Sequence, residues 1–268
     1  PASAQSQITL NGAQNPIVEA QINGQQVRLE VDLRLPDVLV LNPSAAERLR
    51  VRRVPFVGAR VSLDEAYIRG RIARPRIEFG SAGAARATTG IFNLPATERA
   101  DGVIGPGVLP YDIIRVELGG GSGRQLRFPL ANADIWDFEI TLAELSVDAV
   151  LDLTTARSTF NRSASSMLDE RGAITASGAH AETPMLLGLR AMTQPVETSL
   201  QVQGLSLNPA VARTRAPLMG ALDEDTIFVV AEGEAPRPRV WIGRGAFANC
   251  ASITVDRRTR TLTLDCAP

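Results

Sequence analysis

Two aspartates, Asp32 and Asp152, lie in segments of the chain that repeat one another. The first segment continues to Asn42-Pro43-Ser44-Ala45 and the second to Asn161-Arg162-Ser163-Ala164, so Asn-x-Ser-Ala follows each aspartate by ten and nine residues, respectively. A duplicated unit of this kind can bring its two aspartates together across a pseudo-twofold axis. Two carboxylates within about 3 Å of each other cannot both ionise and share a proton, which is a basis for acid–base chemistry.

The segments around both aspartates predict the same order of elements. An apolar strand leads to each aspartate, a short β run follows it, and residues 43–50 and 163–170 are helix candidates. Each copy later reaches a hydrophobic-hydrophobic-Gly triplet, at residues 103–105 and 241–243. In the first copy, residues 57–71 predict two strands of a flap hairpin around Leu-Asp-Glu.

Strand signals dominate the rest of the chain, and an all-β fold with short helices is the resulting prediction. A repeat of about 130 residues is far longer than a solenoid unit, which indicates two similar lobes. We expect two β-barrel lobes related by a pseudo-twofold axis. Residues 1–14 would be a tail, residues 15–130 the N-terminal lobe and residues 131–268 the C-terminal lobe.

Composition excludes several classes of function. The formal net charge of −1 does not favour nucleic-acid binding. The chain contains no lysine, so a Walker lysine and a pyridoxal Schiff base are excluded. The single histidine, His180, lies in a Gly/Ala/Thr stretch that reads as a loop, with no nucleophile elbow nearby. Carboxylates would therefore be the tools of any catalysis.

Cys250 and Cys266 flank a predicted hairpin whose turn is centred midway between them. They are close to cross-strand partners, so a disulfide between them is predicted. A disulfide indicates an oxidising compartment, and the alternative is a pair of reduced cysteines in the cytosol. Residues 1–5, Pro-Ala-Ser-Ala-Gln, look like a chain that begins after a removed signal peptide. No apolar stretch is long enough to span a membrane, so we expect a periplasmic or secreted protein.

These features resemble the pepsin and retropepsin superfamily of aspartic peptidases. Residues 152–161 follow the family's frame of an aspartate loop and β run closely, and residues 32–41 follow it more loosely. Residues 100–105, Ala-Asp-Gly-Val-Ile-Gly, look like the family's Asp-Gly-x-x-Gly segment, and residues 239–243 look like a weaker second copy. The resemblance extends over nearly the whole chain, from about residue 15 to Cys266.

The resemblance implies that Asp32 and Asp152 are the catalytic pair and that no metal or cofactor is required. One carboxylate would be ionised and act as general base on a shared water, and the other would be protonated and bind the scissile carbonyl. Tyr67 lies in the candidate flap and would contact a peptide substrate. The alternatives are that each aspartate only makes local backbone hydrogen bonds at a strand end and that Tyr67 only packs on its strand. Trp241, in a predicted inner strand, is expected in the core.

The chain differs from the family at the same two positions in both copies. Leu33 and Leu153 stand where the family has a threonine, whose hydroxyl ties the two active-site loops together. Arg34 and Thr154 stand where the family has a glycine, which lets the backbone approach the carboxylates. This agreement between the copies indicates a changed site and not a single random substitution.

Arg34 could pair with Asp32 or Asp37, which would oppose proton sharing. Three functions therefore remain open from the sequence. The first is an atypical aspartic peptidase that uses Asp32 and Asp152. The second is a non-catalytic relative that binds a peptide or protein partner between its lobes. The third is a scaffold protein of the cell envelope.

Overall fold

The computed structural model describes residues 6–63, 66–185, 189–214 and 237–268, and these are mostly β-strand, which confirms the all-β class. The strands before residue 133 are β1 (Gln7–Asn11), β2 (Ile17–Ile22), β3 (Gln25–Val31), β4 (Val38–Leu41), β5 (Arg53–Leu63), β6 (Ala66–Ala73), β7 (Arg76–Glu78), β8 (Ala84–Arg86), β9 (Thr88–Phe92), β10 (Gly102–Ile104), β11 (Ile113–Glu117) and β12 (Arg124–Asn132).

The later strands are β13 (Ile135–Leu142), β14 (Leu145–Asp152), β15 (Ser158–Phe160), β16 (Thr175–Ala176), β17 (Ala181–Pro184), β18 (Arg190–Glu197), β19 (Gln201–Val202), β20 (Leu205–Ser206), β21 (Ala210–Arg213), β22 (Arg239–Gly243), β23 (Cys250–Asp256) and β24 (Thr261–Cys266). The α-helices of the described residues are α1 (Pro43–Arg48) and α2 (Arg162–Glu170), and short 3-10 turns occupy Gly80–Ala82, Pro106–Val108 and Arg244–Phe247.

The strands assemble into two large sheets. One has the order β1-β11-β23-β24-β12-β13-β14-β22-β15-β21-β18-β16, with β17 paired to β18, and it contains strands from both halves of the chain. The other has the order β5-β6-β9-β4-β10-β3-β2-β7-β8 and consists of strands from the first half alone. Alternation of buried and exposed residues along strands such as β12 and β13 places one face of each in the core.

The same strand pairing surrounds both aspartates. β3 runs parallel to β10, which runs antiparallel to β4, and β14 runs parallel to β22, which runs antiparallel to β15. Helix α1 follows β4 and helix α2 follows β15. The local repetition predicted from the sequence is therefore present in the pairings. The pseudo-twofold relation of whole lobes and the boundary at residue 130 stay predictions.

The repeated glycines leave no space for a side chain. A β-carbon on Gly105 would lie 1.5 Å from the carbonyl oxygen of Pro36, and one on Gly243 would lie 2.3 Å from that of Arg157. Both contacts are far inside van der Waals distance and both involve backbone, which cannot move aside easily. Each glycine therefore allows the segment after an aspartate to pack directly on the strand beside it.

The repeated asparagines fix loops through their side-chain amides. The Oδ1 of Asn161 accepts hydrogen bonds from the backbone nitrogens of Ala164 and Arg239, and its Nδ2 donates to the carbonyl of Arg237. Asn42 is also buried. Its amide bonds to backbone groups of Ala96, Thr97 and Ala100. In each copy, the asparagine of the Asn-x-Ser-Ala segment thus links neighbouring backbone segments by side-chain hydrogen bonds.

Cys250 and Cys266 form the predicted disulfide between the neighbouring strands β23 and β24. Both cysteines are buried. The bond crosslinks β23 and β24, which are neighbours in the sheet that contains strands from both halves.

Candidate functional site

The structure brings Asp32 and Asp152 to one site. Asp32 follows β3 directly, and its backbone nitrogen donates to the carbonyl of Ile104 at 3.0 Å. Asp152 ends β14 opposite Gly243 of β22. Both aspartates are almost fully buried, at 3% and 4% exposed. The duplicated segments therefore place both carboxylates in the interior of the protein.

Arg34 lies between the two carboxylates and contacts both. Its Nε donates to Oδ1 of Asp32 at 2.9 Å, and its Nη2 donates to Oδ2 of Asp32 at 2.6 Å. Its Nη1 donates to Oδ2 of Asp152 at 3.4 Å. The first pair has the bidentate form that a planar guanidinium offers to a carboxylate. One cation thus connects the two carboxylates, although Arg34 and Asp152 are 118 residues apart in the chain.

Backbone groups complete the hydrogen bonding of both aspartates. The backbone nitrogen of Arg34 donates to Oδ1 of Asp32 at 3.0 Å, and that of Thr154 donates to Oδ1 of Asp152 at 2.7 Å. The Thr154 hydroxyl also donates to the same oxygen of Asp152. These are the local strand-end bonds that the sequence left open as an alternative to catalysis.

The two carboxylates hold Arg34 in its charged form. Burial by itself lowers the pKa of Arg34, but the attraction and hydrogen bonds of Asp32, followed by those of Asp152, more than offset it, so the pKa is raised above its ordinary value. Two ionised carboxylates and one guanidinium carry a formal net charge of −1. Loss of Arg34 would leave two buried carboxylates without their counter-charge, which is strongly destabilising.

This arrangement does not favour activation of a water molecule. A peptidase pair needs one protonated and one ionised carboxylate that share a proton. A guanidinium between them has donors only and does not lose its proton, so it lies where the shared proton and the water would be needed. Assignment of Asp32 and Asp152 as catalytic stays a prediction, and the contacts observed suit the joining of two loops better.

The leucines at the threonine positions of the family are core residues. Leu33 and Leu153 are each 2% exposed and belong to the main hydrophobic cluster. Each loop after an aspartate is therefore anchored by apolar packing, where the family would use a hydroxyl. Arg34 supplies the polar link between the loops.

A cavity of about 220 Å³ opens beside Asp152 and Arg34. Strands from both halves contribute to it, since Val61 belongs to β5 and Trp241 to β22. Trp241 is only partly buried, so the expectation that it packs in the core is wrong. The cavity lining combines apolar side chains with threonine hydroxyls, arginines and one aspartate, namely Arg34, Val61, Asp152, Thr155, Thr159, Thr183, Pro184, Met185, Leu189, Arg213, Arg239 and Trp241.

Tyr67 lies on β6 in the hairpin predicted as a flap, outside the lining of this cavity. The guanidinium of Arg60 stacks 4.2 Å from its ring centroid, and Nη2 of Arg69 donates to its hydroxyl at 3.2 Å. The predicted turn residues Asp64 and Glu65 lie outside the described residues. A role for Tyr67 in binding a ligand stays a prediction.

Arg239, which lines the cavity, is held by two carboxylates. Its Nη2 donates to Oδ2 of Asp137 at 2.5 Å and lies 3.9 Å from Oδ2 of Asp148. Burial raises the pKa of Asp137 above its ordinary value of 3.8; the charge of Arg239 opposes this rise and that of Asp148 adds to it.

The raised pKa of Asp137 predicts a measurable pH dependence. The folded protein retains this proton to higher pH than the unfolded chain does, so the contribution of Asp137 to stability falls as pH rises above 3.8. Asp137→Asn removes the titration and keeps an acceptor for Arg239. At pH 7 we expect the free energy of unfolding of the variant to equal that of the wild type or to exceed it by less than about 1 kcal/mol. Urea unfolding at pH 4 and pH 7 checks this, and a variant clearly less stable at pH 7 would refute it.

A scan of protein-family models and a search of curated proteins both found no match to this chain. The resemblance to aspartic peptidases therefore stays a prediction from the repeated residues of the sequence. Among the described residues, no helix has the length and apolar character needed to cross a membrane.

Proposed function

We propose that this protein has an aspartic-peptidase-like fold and binds an extended peptide segment of a partner protein without cleaving it. The observation that carries the proposal is the Arg34 guanidinium, which bonds to both Asp32 and Asp152 where catalysis would need a shared proton and a water. The adjoining cavity has room for a side chain of a ligand, so the site could bind a peptide without cleaving it.

The apolar part of the cavity indicates the kind of side chain it would accept. Trp241, Leu189 and Met185 offer apolar surface, and the nearby threonines can donate and accept hydrogen bonds. A volume of about 220 Å³ is enough for one large side chain and too small for a folded element. We therefore infer an apolar or aromatic side chain on an otherwise extended ligand.

Two edge strands border the cavity and favour an extended ligand. Val61 lies in β5, which is the last of the described strands at one end of the first-half sheet. Thr183 and Pro184 lie in β17, which in the described part of the chain pairs with β18 alone. Exposed strand edges present unpaired backbone groups that an added peptide strand can satisfy, while pockets select its side chains.

Leu189→Ala tests the proposal directly. Peptides selected from a displayed library against the wild-type protein should bind Leu189→Ala at least about tenfold more weakly, because Leu189 lines the cavity. Fluorescence anisotropy of labelled peptides measures the affinity. Leu94→Ala is the matched control, since Leu94 is half exposed and lies outside the cavity, and its affinity should equal that of the wild type.

Selection of no peptide, or equal loss of affinity in both leucine variants, would remove the support for peptide binding. A cell-envelope scaffold would give the first of these results. The disulfide favours an oxidising environment, so we propose that binding takes place in the periplasm or outside the cell.

A further inference from the structure

A second cavity, of about 570 Å³, lies in the first half of the chain and shares no residue with the cavity beside Asp152. Its lining contains five arginines from three segments of the chain and, among the described residues, no acidic side chain. The chain as a whole has a formal net charge of −1, so this concentration of positive charge is local. The five are Arg50, Arg52, Arg74, Arg76 and Arg86.

Two of these arginines face each other across a strand pair. Arg76 of β7 and Arg86 of β8 are direct partners in the antiparallel register, and both are exposed. Like charges directly opposite each other destabilise a sheet. The inner partners of the same ladder, Ile77 and Ala85, belong to or pack on the core, so the register is fixed by apolar burial. The repulsion is therefore built into the fold unless an anion offsets it.

The carboxylates of the described residues leave most of this charge uncompensated. Glu78 contacts Arg76, with Oε1 at 3.2 Å from Nε, but both side chains are more than half exposed and such a pair contributes little. No carboxylate in the described part of the chain lies within 4.0 Å of the guanidinium groups of Arg50, Arg52, Arg74 or Arg86.

One wall of the cavity is fixed by hydrogen bonds. The Nδ2 of Asn23, in the turn between β2 and β3, donates to the carbonyl of Leu49 at 2.9 Å and lies 3.4 Å from that of Arg50. Leu49 is fully buried beneath this wall. Arg50 adopts a left-handed backbone conformation with φ of 50°, which follows the end of α1 and turns the chain toward Arg52.

We propose that this arginine cavity binds a compact polyanion that carries two or more phosphate groups. Arginine offers planar, forked donors that match phosphate oxygens, and several phosphates are needed to engage arginines from three segments. The volume lies in the range of about 300–1,000 Å³ that is usual for small-ligand sites, which favours a compact anion over a macromolecule. Free polyphosphate and the headgroup of a phosphorylated lipid share this chemistry.

Binding of inorganic tripolyphosphate, measured by calorimetry at low salt, is the first test. The double variant Arg74→Gln/Arg86→Gln should bind it at least about tenfold more weakly than the wild type. Arg127→Gln/Arg190→Gln is the matched control, because it removes the same charge from exposed arginines outside the cavity. All these side chains are exposed, and circular dichroism should show an unchanged fold.

A vesicle assay separates the two sources of phosphate. If the natural ligand is a lipid headgroup, vesicles that contain a lipid with phosphate monoesters on its headgroup should bind the wild-type protein. The double variant Arg74→Gln/Arg86→Gln should then not bind these vesicles. Phe56→Ala should then also weaken vesicle binding, since Phe56 is fully exposed near Arg52 in sequence, and leave tripolyphosphate binding unchanged.

Tripolyphosphate binding alone would identify a free anion as the ligand. The proposal fails if neither probe binds, if the control double variant loses as much affinity as Arg74→Gln/Arg86→Gln, or if duplex DNA binds more tightly than both probes with the same dependence on Arg74 and Arg86. None of these results depends on whether the cavity beside Asp152 binds peptides.

Discussion

Arg34→Met is expected to lower the free energy of unfolding by about 3–5 kcal/mol at neutral pH, because it leaves the buried carboxylates of Asp32 and Asp152 without their cation. Methionine keeps the length and apolar stem of the arginine, so the loss reports the charge. Urea unfolding at neutral pH measures the loss.

Two further variants make the result specific to the buried cluster. Arg48→Met removes the exposed pair with Asp101 and should cost less than about 1 kcal/mol. Adding Asp32→Asn and Asp152→Asn to Arg34→Met should restore much of the lost stability, because no buried charge then remains. If Arg34→Met proves as mild as Arg48→Met, Arg34 does not hold the two loops together.

Loss of the disulfide is the second large expected effect. The double variant Cys250→Ala/Cys266→Ala should lower the free energy of unfolding by about 3 kcal/mol, since the bond closes a loop of 16 residues in the unfolded chain. Both cysteines are buried in strands of the sheet that the two halves share, so part of the loss would come from packing. Equilibrium unfolding in guanidinium measures it.

A reductant provides the internal comparison for that experiment. Full reduction should destabilise the wild type by a similar amount and leave the double alanine variant unchanged. A wild type that is indifferent to reduction, with both thiols free by chemical labelling, would contradict the disulfide and with it the argument for an oxidising compartment.

Local repetition made the framework of the site predictable from the sequence. The aspartates, the Asn-x-Ser-Ala segments and the glycine triplets each have a short-range signature, and the structure gives each a reason. Asn161 joins strand ends by its amide, and Gly243 lies too close to backbone for a side chain. These features depend on residues near in sequence or on a strand neighbour that the repeat itself specifies.

The chemistry of the site depended on contacts that no local pattern defines. The sequence suggested that Arg34 pairs with Asp32 or Asp37, whereas its further bond to Asp152 requires the two halves to meet. Trp241 reads as a core residue from its strand, yet it lines a cavity because the facing surface comes from other segments. The cross-strand position of Arg76 and Arg86 likewise follows from register.

The most direct test of the central claim is mass spectrometry of a diverse peptide library incubated with the wild-type protein from roughly pH 3 to 7, the range in which carboxylates titrate. Our account predicts that a subset of peptides is retained by the protein and recovered intact at every pH. Cleavage at acidic pH that disappears in Asp32→Asn and in Asp152→Asn would contradict it and would establish an aspartic peptidase.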